Sequence, residues 1–437
     1  MSQKVFITGL GPVTAFGVGI DPLWQAMLAG KTALKPITRF NPDAFACSVA
    51  AELDDASFSI RDYVPKSYRK ATKVMCRDIE LAVAAAASAV SDAGLVTKAV
   101  DPQADPTIAP SRMGCHIGAG LIAADIDELT AALASSRGAN GAVDLATWGE
   151  SGMNNLTPLW LLKYLPNMLA CHVTIIHDCQ GPSNTITCCE ASSGLSLGES
   201  VRVIARGGAD ACLTGGAEYK LNPMAMFRQQ SSERLMHSSE AGKLRPFDAE
   251  AAGTAVGEGG GILVVESEAA ANGRSAMKYA EVAGFASTQS HCMNQLTFAI
   301  DPDDPGISDA IELALKQADV TPDAVDAIVP LGSAIPHFDQ AEAAAIARVF
   351  GERAASVPII TTVPNTGHCQ AGQGAVALCV AAKAMKEQML PARIHTTNAV
   401  GLDANACDAR PAELKHVLVF TTSQGGQNAA MLLRRCE

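Results

Sequence analysis

The sequence predicts an α/β protein in which strands and helices alternate along the chain and pack in layers. Short runs rich in β-branched and aliphatic residues recur, and alanine-rich segments with the apolar spacing of amphipathic helices separate them. Of the 437 residues, 48% are hydrophobic, 18% are charged and 37 are glycine, which suits a large, mostly buried architecture with many tight turns. At this length we expect two closely packed halves.

The first element is a β-rich run over residues 5–11, which ends in glycines and leads into a helix with Trp24, Met27 and Leu28 on one face. Prolines and aspartates over residues 101–110 indicate a loop insertion, and residues 134–156 read as an irregular surface excursion. The remaining elements are expected as strands over residues 113–117, 172–176, 184–188, 211–214, 262–266, 279–285, 327–331, 357–362 and 417–422, and as helices over residues 79–93, 197–206, 307–318 and 371–387.

Charge and cysteine content exclude several functional classes. The net charge of −12 has no compensating basic cluster, which argues against nucleic acid or an anionic membrane surface as a partner. The 13 cysteines form neither CxxC pairs nor Cys/His clusters, so we expect reduced thiols and no metal site. The N-terminus enters a strand-like run without a signal peptide, and the apolar stretches are shorter than the roughly 20 residues of a membrane span. We expect a cytoplasmic protein that does not cross a membrane.

Residues 181–194 read as a strand, a sharp turn and a helix, with Glu190 at the bend. A carboxylate suits the positive end of a helix, but thioester exchange requires a thiolate at such a turn. Cys188 and Cys189 precede the bend in the predicted strand, where a shift of one residue redirects the thiol. We therefore interpret both as small buried side chains.

This segment resembles the nucleophile elbow of β-ketoacyl synthases, which places a catalytic cysteine seven residues after Gly-Pro. Glu190 occupies that position here. Four further segments are similar to family motifs in order and spacing, and the resemblance covers almost the whole chain: residues 206–210, 214–218, 245–248 and 257–261. The resemblance implies a thiolase-like, five-layered α/β/α/β/α fold made of two similar halves, residues 1–266 and 267–437, with the site between them.

In the family the cysteine acts with two histidines and a lysine. The resemblance places the second histidine at His368, framed by Gly367 and Gly372. It places Val363 at the lysine position and Leu331 at the first histidine position, and neither side chain donates a hydrogen bond. His337 lies nearby in sequence, and we expect it in a solvated loop.

A glycine-rich turn near the C-terminus is similar to the family segment that contributes to the oxyanion hole and gates the acyl tunnel. Gly425 and Gly426 persist, whereas Thr422 and Gln424 stand where the family has two phenylalanines. We therefore expect the backbone geometry to be kept and the apolar gate to be lost.

The changed positions on an intact scaffold resemble the chain length factors of type II polyketide synthases. This implies an acyltransferase-family subunit that does not condense by itself and shapes the acyl tunnel of a cysteine-bearing ketosynthase, in polyketide or fatty-acid-like biosynthesis. Substrates would arrive on the phosphopantetheine arm of an acyl carrier protein, with no other cofactor. In related dimers the strand after Gly-Pro pairs across the interface, which implies an interface strand of Asn184, Thr185, Ile186, Thr187 and Cys188.

Three alternatives stay open at this point. Glu190 and His368 could form an acid/base pair in an enzyme that acts alone on carrier-bound acyl groups, by dehydration, proton abstraction or decarboxylation. Cys189 could serve as the nucleophile of an active ketosynthase. The chain could also be a homodimer of the same fold without an acyl ligand.

Overall fold

The computed structural model describes residues 3–436, and its elements alternate as an α/β protein requires. The strands are β1 (Val5–Thr14), β2 (Gly17–Val18), β3 (Leu34–Pro36), β4 (Val49–Ala51), β5 (Met113–Gly118), β6 (Ser183–Ile186), β7 (Ala211–Glu218), β8 (Gly259–Ser267), β9 (Ala280–Gln289), β10 (Ala327–Val329), β11 (Met389–Leu390), β12 (Arg410–Pro411), β13 (His416–Thr422) and β14 (Gln427–Arg434). The helices are α1 (Ile20–Leu28), α2 (Arg77–Asp92), α3 (Ile126–Ser135), α4 (Leu145–Glu150), α5 (Met168–His177), α6 (Ser192–Ala205), α7 (Pro223–Ser231), α8 (Glu268–Gly273), α9 (Gly306–Ala318), α10 (Pro336–Phe350), α11 (Val363–Thr366) and α12 (Gln373–Glu387).

The main sheet contains an internal repeat. Its strand order is β10-β13-β14-β9-β1-β8-β7-β5-β6. In the first half β1 pairs antiparallel with β8, β8 antiparallel with β7, and β7 parallel with β5. In the second half β9, β14, β13 and β10 repeat these pairings in the same order. Phe6 and Ile7 of β1 also pair with β9, and this pairing joins the two halves.

Side-chain alternation along the strands creates the layers. In β13, Val417 and Val419 belong to the core around α6 and α12, whereas Leu418 and Phe420 belong to the core around α9 and α10. Helices α2 and α5 cover the outer face of the first half. Two outer helical layers, two sheet halves and a central pair of helices give five layers, which confirms the expected fold.

Several predicted elements differ from the structure. Residues 172–176 form part of helix α5, not a strand, because this apolar run buries Leu169, Val173 and Ile176 beneath the first half of the sheet. Residues 357–362 form no strand. Ile359 makes a single parallel bridge to Ile328 of β10, and this bridge corresponds to the pairing of β6 with β5 in the first half.

The surface excursion over residues 134–156 contains helix α4, while residues 101–110 are irregular as predicted. Strand β14 and helix α10 were not expected from the sequence. Within the described part of the chain, no helix has the length and apolar character needed to cross a membrane.

Candidate functional site

The elbow forms as the sequence predicts, although its strand is shorter. Strand β6 ends at Ile186, so Thr187 and Cys188 lie beyond it, and a short 3-10 turn over Cys189–Ala191 leads directly into α6. Ser192 fixes this turn: its hydroxyl accepts a hydrogen bond from the Cys188 amide at 2.8 Å and donates to the carbonyl of Ala119 at 3.3 Å. Glu190 is thereby held at the N-terminus of α6 and points inward.

The Glu190 carboxylate is fully buried and fully engaged. One oxygen, Oε1, contacts the Arg234 guanidinium, and the other, Oε2, accepts a hydrogen bond from the backbone amide of Gln424 at 2.9 Å. Burial by itself raises the pKa of Glu190, but the charge of Arg234, with smaller contributions from His368 and the Gln424 amide, brings it below its usual range. The carboxylate is therefore ionised at neutral pH.

Arg234 is the functional residue that the sequence did not reveal. It follows α7 within a polar stretch, beside Glu233, which has a positive φ of 55°. Its backbone is fixed by a bond from the Thr254 amide at 2.8 Å, and its guanidinium lies 5.3 Å from the ring centre of Phe338. Residues 231–240 are mostly polar, so nothing in the local sequence pattern distinguishes this arginine from a solvated one.

His368 enters the site from the second half of the chain. Its amide donates to the Ala255 carbonyl at 2.8 Å, and its carbonyl accepts from the Gly257 amide at 3.1 Å. The preceding Gly367 has a φ of 67°, and a Cβ there would lie 2.8 Å from the Cα of Gly257, so a glycine is required for this close approach.

The imidazole of His368 is neutral and oriented by its backbone neighbour. Nδ1 accepts a hydrogen bond from the Gln370 amide at 3.4 Å, which assigns the ring proton to Nε2, 4.0 Å from Oε1 of Glu190. Burial lowers the pKa of His368 to about 4. At neutral pH this side chain is a hydrogen-bond donor rather than a cation.

Leu331 and Val363 lie at the two positions where the resemblance expected a histidine and a lysine. Both apolar side chains are buried. Nearby, Glu342 accepts hydrogen bonds from the amides of Leu331 at 3.1 Å and Gly332 at 2.9 Å. Burial first, and then the proximity of Asp339, raises the pKa of Glu342 well above its usual range. Its two backbone contacts hold the loop that follows β10.

His337 does not lie in a solvated loop. It belongs to the first turn of α10, is half-buried, and its Nε2 is enclosed without a hydrogen-bond partner among the described residues. Burial, followed by the charge of Arg234, lowers its pKa. It therefore lies on the Arg234 side of the site.

The C-terminal turn contains Thr422 and Gln424 at the two positions where the resemblance expected phenylalanines. Gly426, with a φ of 80°, closes the turn through a bond from its amide to the Ser423 carbonyl at 2.8 Å, and Gly425 precedes it. Thr422 is buried and donates to Asn428 at 2.7 Å. The backbone amide of Gln424 in this turn donates its hydrogen bond to Glu190, so it is not free to bind a substrate oxygen.

Neither elbow cysteine is placed as a nucleophile. Cys189 is exposed, with a strained φ of 46°, and packing around its thiol, followed by the nearby Glu190 carboxylate, raises its pKa to about 12. Cys188 is partly exposed, and burial raises its pKa as well. The prediction of two buried side chains is therefore wrong for Cys189, and Cys188 is only partly buried.

Strand β6, which contains Asn184, Thr185 and Ile186, forms one edge of the main sheet. Its Pro182 and Ile186 carbonyls accept bonds from β5, so the amides of Ser183 and Thr185 face the free edge. Asn184 Oδ1 accepts from the Thr185 amide at 2.8 Å and shields this edge. In residues 3–436, no cluster of three or more His, Cys, Asp or Glu side chains is arranged to hold a metal ion.

Family models match most of the chain. The model of the β-ketoacyl synthase N-terminal domain matches residues 2–271, and that of the C-terminal domain matches residues 279–397. The chain is 30% identical, over 452 aligned residues, to 3-oxoacyl-[acyl-carrier-protein] synthase 2 of Coxiella burnetii, and the alignment covers 99% of each chain.

Solved structures agree over the full length. The ishigamide ketosynthase/chain length factor superposes with a TM-score of 0.83 at 25% identity, and a β-ketoacyl synthase from Burkholderia phymatum with a TM-score of 0.82 at 27% identity. Each match covers 100% of both chains.

Proposed function

The chain belongs to the β-ketoacyl synthase family, and on that premise we propose that it is a non-condensing subunit of the chain length factor kind. It pairs with a cysteine-bearing ketosynthase and shapes the acyl tunnel that the pair uses. Its substrates are acyl groups on the phosphopantetheine arm of an acyl carrier protein, in polyketide or fatty-acid-like biosynthesis.

One observation carries this proposal: the nucleophile position holds Glu190, whose carboxylate is ion-paired to a buried arginine. Condensation begins with transfer of an acyl group to a thiolate at this point of the elbow. Glu190 is instead bound to Arg234 and to the Gln424 amide, with both of its oxygens engaged. A carboxylate held in this way is stabilised as an anion and does not replace the thiolate that acyl transfer requires.

The surroundings of Glu190 support the same conclusion. Decarboxylation of a malonyl group requires donors that stabilise the enolate oxygen. His368 supplies one N–H, but Leu331 and Val363 supply none, and both are buried. A site with this donor set lacks most of the electrostatic stabilisation that the reaction needs.

Two further observations support a partner. Strand β6 is an edge of the main sheet, where the Ser183 amide faces outward and the Thr185 amide is bound only by the neighbouring Asn184 side chain, and such edges are commonly covered. A similar solved structure is described as a ketosynthase together with a chain length factor. The name of a relative, 3-oxoacyl-[acyl-carrier-protein] synthase 2, supports an acyl carrier protein as the source of the substrates.

Co-purification with a tagged, cysteine-bearing ketosynthase encoded beside this chain tests the proposal. The untagged chain should elute in a one-to-one complex, and after incubation with malonyl-loaded carrier protein, intact mass analysis should find acylation on the partner alone. A Cys189→Ser variant is the matched control and should behave identically. A stable homodimer that by itself changes the carrier-bound acyl mass would refute the proposal and favour Glu190 and His368 as an acid/base pair.

A further inference from the structure

A file of four side chains runs from Glu190 to the protein surface. The Arg234 guanidinium contacts Glu190 Oε1, and its central carbon lies 5.3 Å from the centre of the Phe338 ring. The Phe338 ring in turn lies 4.7 Å from the ring of His337. Of these four residues only His337 is partly exposed, so Arg234 and Phe338 lie between Glu190 and solvent along this file.

Arg234 and Phe338 are both fixed in place. The Arg234 amide donates to the Gln229 carbonyl at 3.1 Å, and the Arg234 carbonyl accepts from the Thr254 amide at 2.8 Å. Phe338 is 1% exposed and belongs to the core around α9 and α10. Because protein cores are closely packed, the ring cannot leave the file without disrupting that core.

The other neighbours of Glu190 are closely placed as well. His368 Nε2 lies 4.0 Å from the carboxylate, and this histidine is fully buried. The Gln424 amide is bound to the second carboxylate oxygen. A cavity of about 420 Å³ borders α10, but neither Phe338 nor Glu190 lines it.

This arrangement leaves no room for a substrate at position 190. The carbonyl carbon of an acyl thioester must come within about 3–3.5 Å of the group that attacks it. The Arg234 guanidinium is already in contact with Glu190 Oε1, and Phe338 packs against that guanidinium. The volume of these two side chains therefore excludes a thioester, whatever the chemistry of residue 190.

We propose that Arg234 and Phe338 are specificity-determining residues that plug this chain's own elbow against a phosphopantetheine arm. Carrier-bound acyl groups then react only at the cysteine of the partner ketosynthase. The inference rests on the proposed function for the arm and the partner. The plug itself depends on the bulk of the two side chains and not on the charge of the ion pair, so smaller side chains would open the elbow.

Alkylation of a thiol placed at position 190 tests the plug in the full-length chain alone. The reporter chain carries Glu190→Cys with Arg234→Met, which removes both charges of the pair and keeps a long side chain at position 234. Cys188→Ser and Cys189→Ser leave the elbow peptide with a single thiol. Iodoacetamide, a small neutral reagent, is added to the folded chain, and the mass of this peptide gives the alkylation rate.

The thiol of the reporter chain should react at least about a hundredfold more slowly than in urea, because a buried group is reached only through local opening. Arg234→Ala in place of Arg234→Met, or the addition of Phe338→Ala, should each raise the rate in the folded chain about tenfold or more. Phe350→Ala, which removes another buried phenylalanine of α10, is the matched control and should leave the rate unchanged.

Urea unfolding shows which variants are folded, and the two opening variants are independent, so either one decides the test if the other does not fold. Three results would overturn the inference: alkylation of the folded reporter chain as fast as in urea, an unchanged rate in a folded opening variant, or equal acceleration by Phe338→Ala and Phe350→Ala. The chain is tested without partner or carrier protein, so the outcome is independent of the co-purification experiment.

Discussion

Arg234 and Glu190 form an ion pair from which water is excluded, since each side chain is only 1% exposed. A buried pair of this kind is expensive to break because removal of one partner leaves the other charge desolvated and unpaired. The stability of the chain therefore depends on the pairing of Glu190 with Arg234.

Replacement of the arginine alone should destabilise the protein strongly. Arg234→Met leaves the Glu190 carboxylate buried without its cation, and we expect a loss of about 3–5 kcal/mol in the free energy of unfolding. The double variant Arg234→Met/Glu190→Gln removes both charges and should recover most of that loss. Urea denaturation measures both. Arg206→Met, which breaks a solvent-exposed pair with Glu199, is the control and should change the free energy of unfolding little. Equal losses in Arg234→Met and Arg206→Met would contradict the expectation.

Stability should fall as the pH drops from about 6.5 towards 4. The pKa of His368 is lowered to about 4 in the folded state, while an unfolded histidine titrates near 6.5. Between these values the unfolded chain binds the proton and the folded chain does not, so this stabilisation is complete above pH 6.5 and lost as the pH falls, by roughly 3 kcal/mol.

The same unfolding experiment at several pH values in His368→Gln should show a shallower slope. The slope that remains belongs to other buried groups such as His177, whose pKa is also lowered to about 4. An unchanged slope in the variant would show that His368 is not held neutral.

Reintroduction of a cysteine should not restore condensation. Glu190→Cys leaves Arg234 without its counterion and leaves Leu331 and Val363 unable to donate hydrogen bonds. A missing acid/base group costs about 10²–10⁴ in rate, so product should form at least a hundredfold more slowly than in a cysteine-bearing relative. Mass analysis of the carrier-bound product measures the rate. Condensation at the relative's rate would show that hydrogen-bond donors at positions 331 and 363 are not required.

Thr185→Pro tests the edge strand without disturbing its pairing to β5. The Thr185 amide faces away from β5 and donates only to the neighbouring Asn184 side chain, and proline is tolerated where an edge N–H points outward. If β6 pairs with the partner ketosynthase, the variant should bind it at least tenfold more weakly by calorimetry, while Thr185→Ser should bind normally. Equal affinity of both variants would place the interface elsewhere.

Much of the fold could be predicted because its signals are local. The opening strand, helices α2, α9 and α12, and the elbow were visible as β-rich runs, apolar periodicity and glycine-rich turns. Helix α5 was misread, because Val173, Thr174 and Ile175 favour strands locally and only packing decides otherwise. Strand β14 was missed since its side chains are buried on both faces and show no alternation.

The candidate site could be predicted only where motif spacing defines it. Glu190 and His368 were expected from the motifs that flank them, and the structure places His368 Nε2 4.0 Å from Glu190 Oε1. Arg234 could not be found because its role depends on a tertiary contact with a residue 44 positions away.

The central place of β1 has a consequence for biosynthesis. This strand is synthesised well before its long-range partners, β8 and β9, residues 259–267 and 280–289. At translation rates of 5–20 residues per second, the strand waits roughly 10–50 s with its apolar residues uncovered. We therefore expect the yield of folded chain to depend on chaperones that shield exposed hydrophobic segments during synthesis.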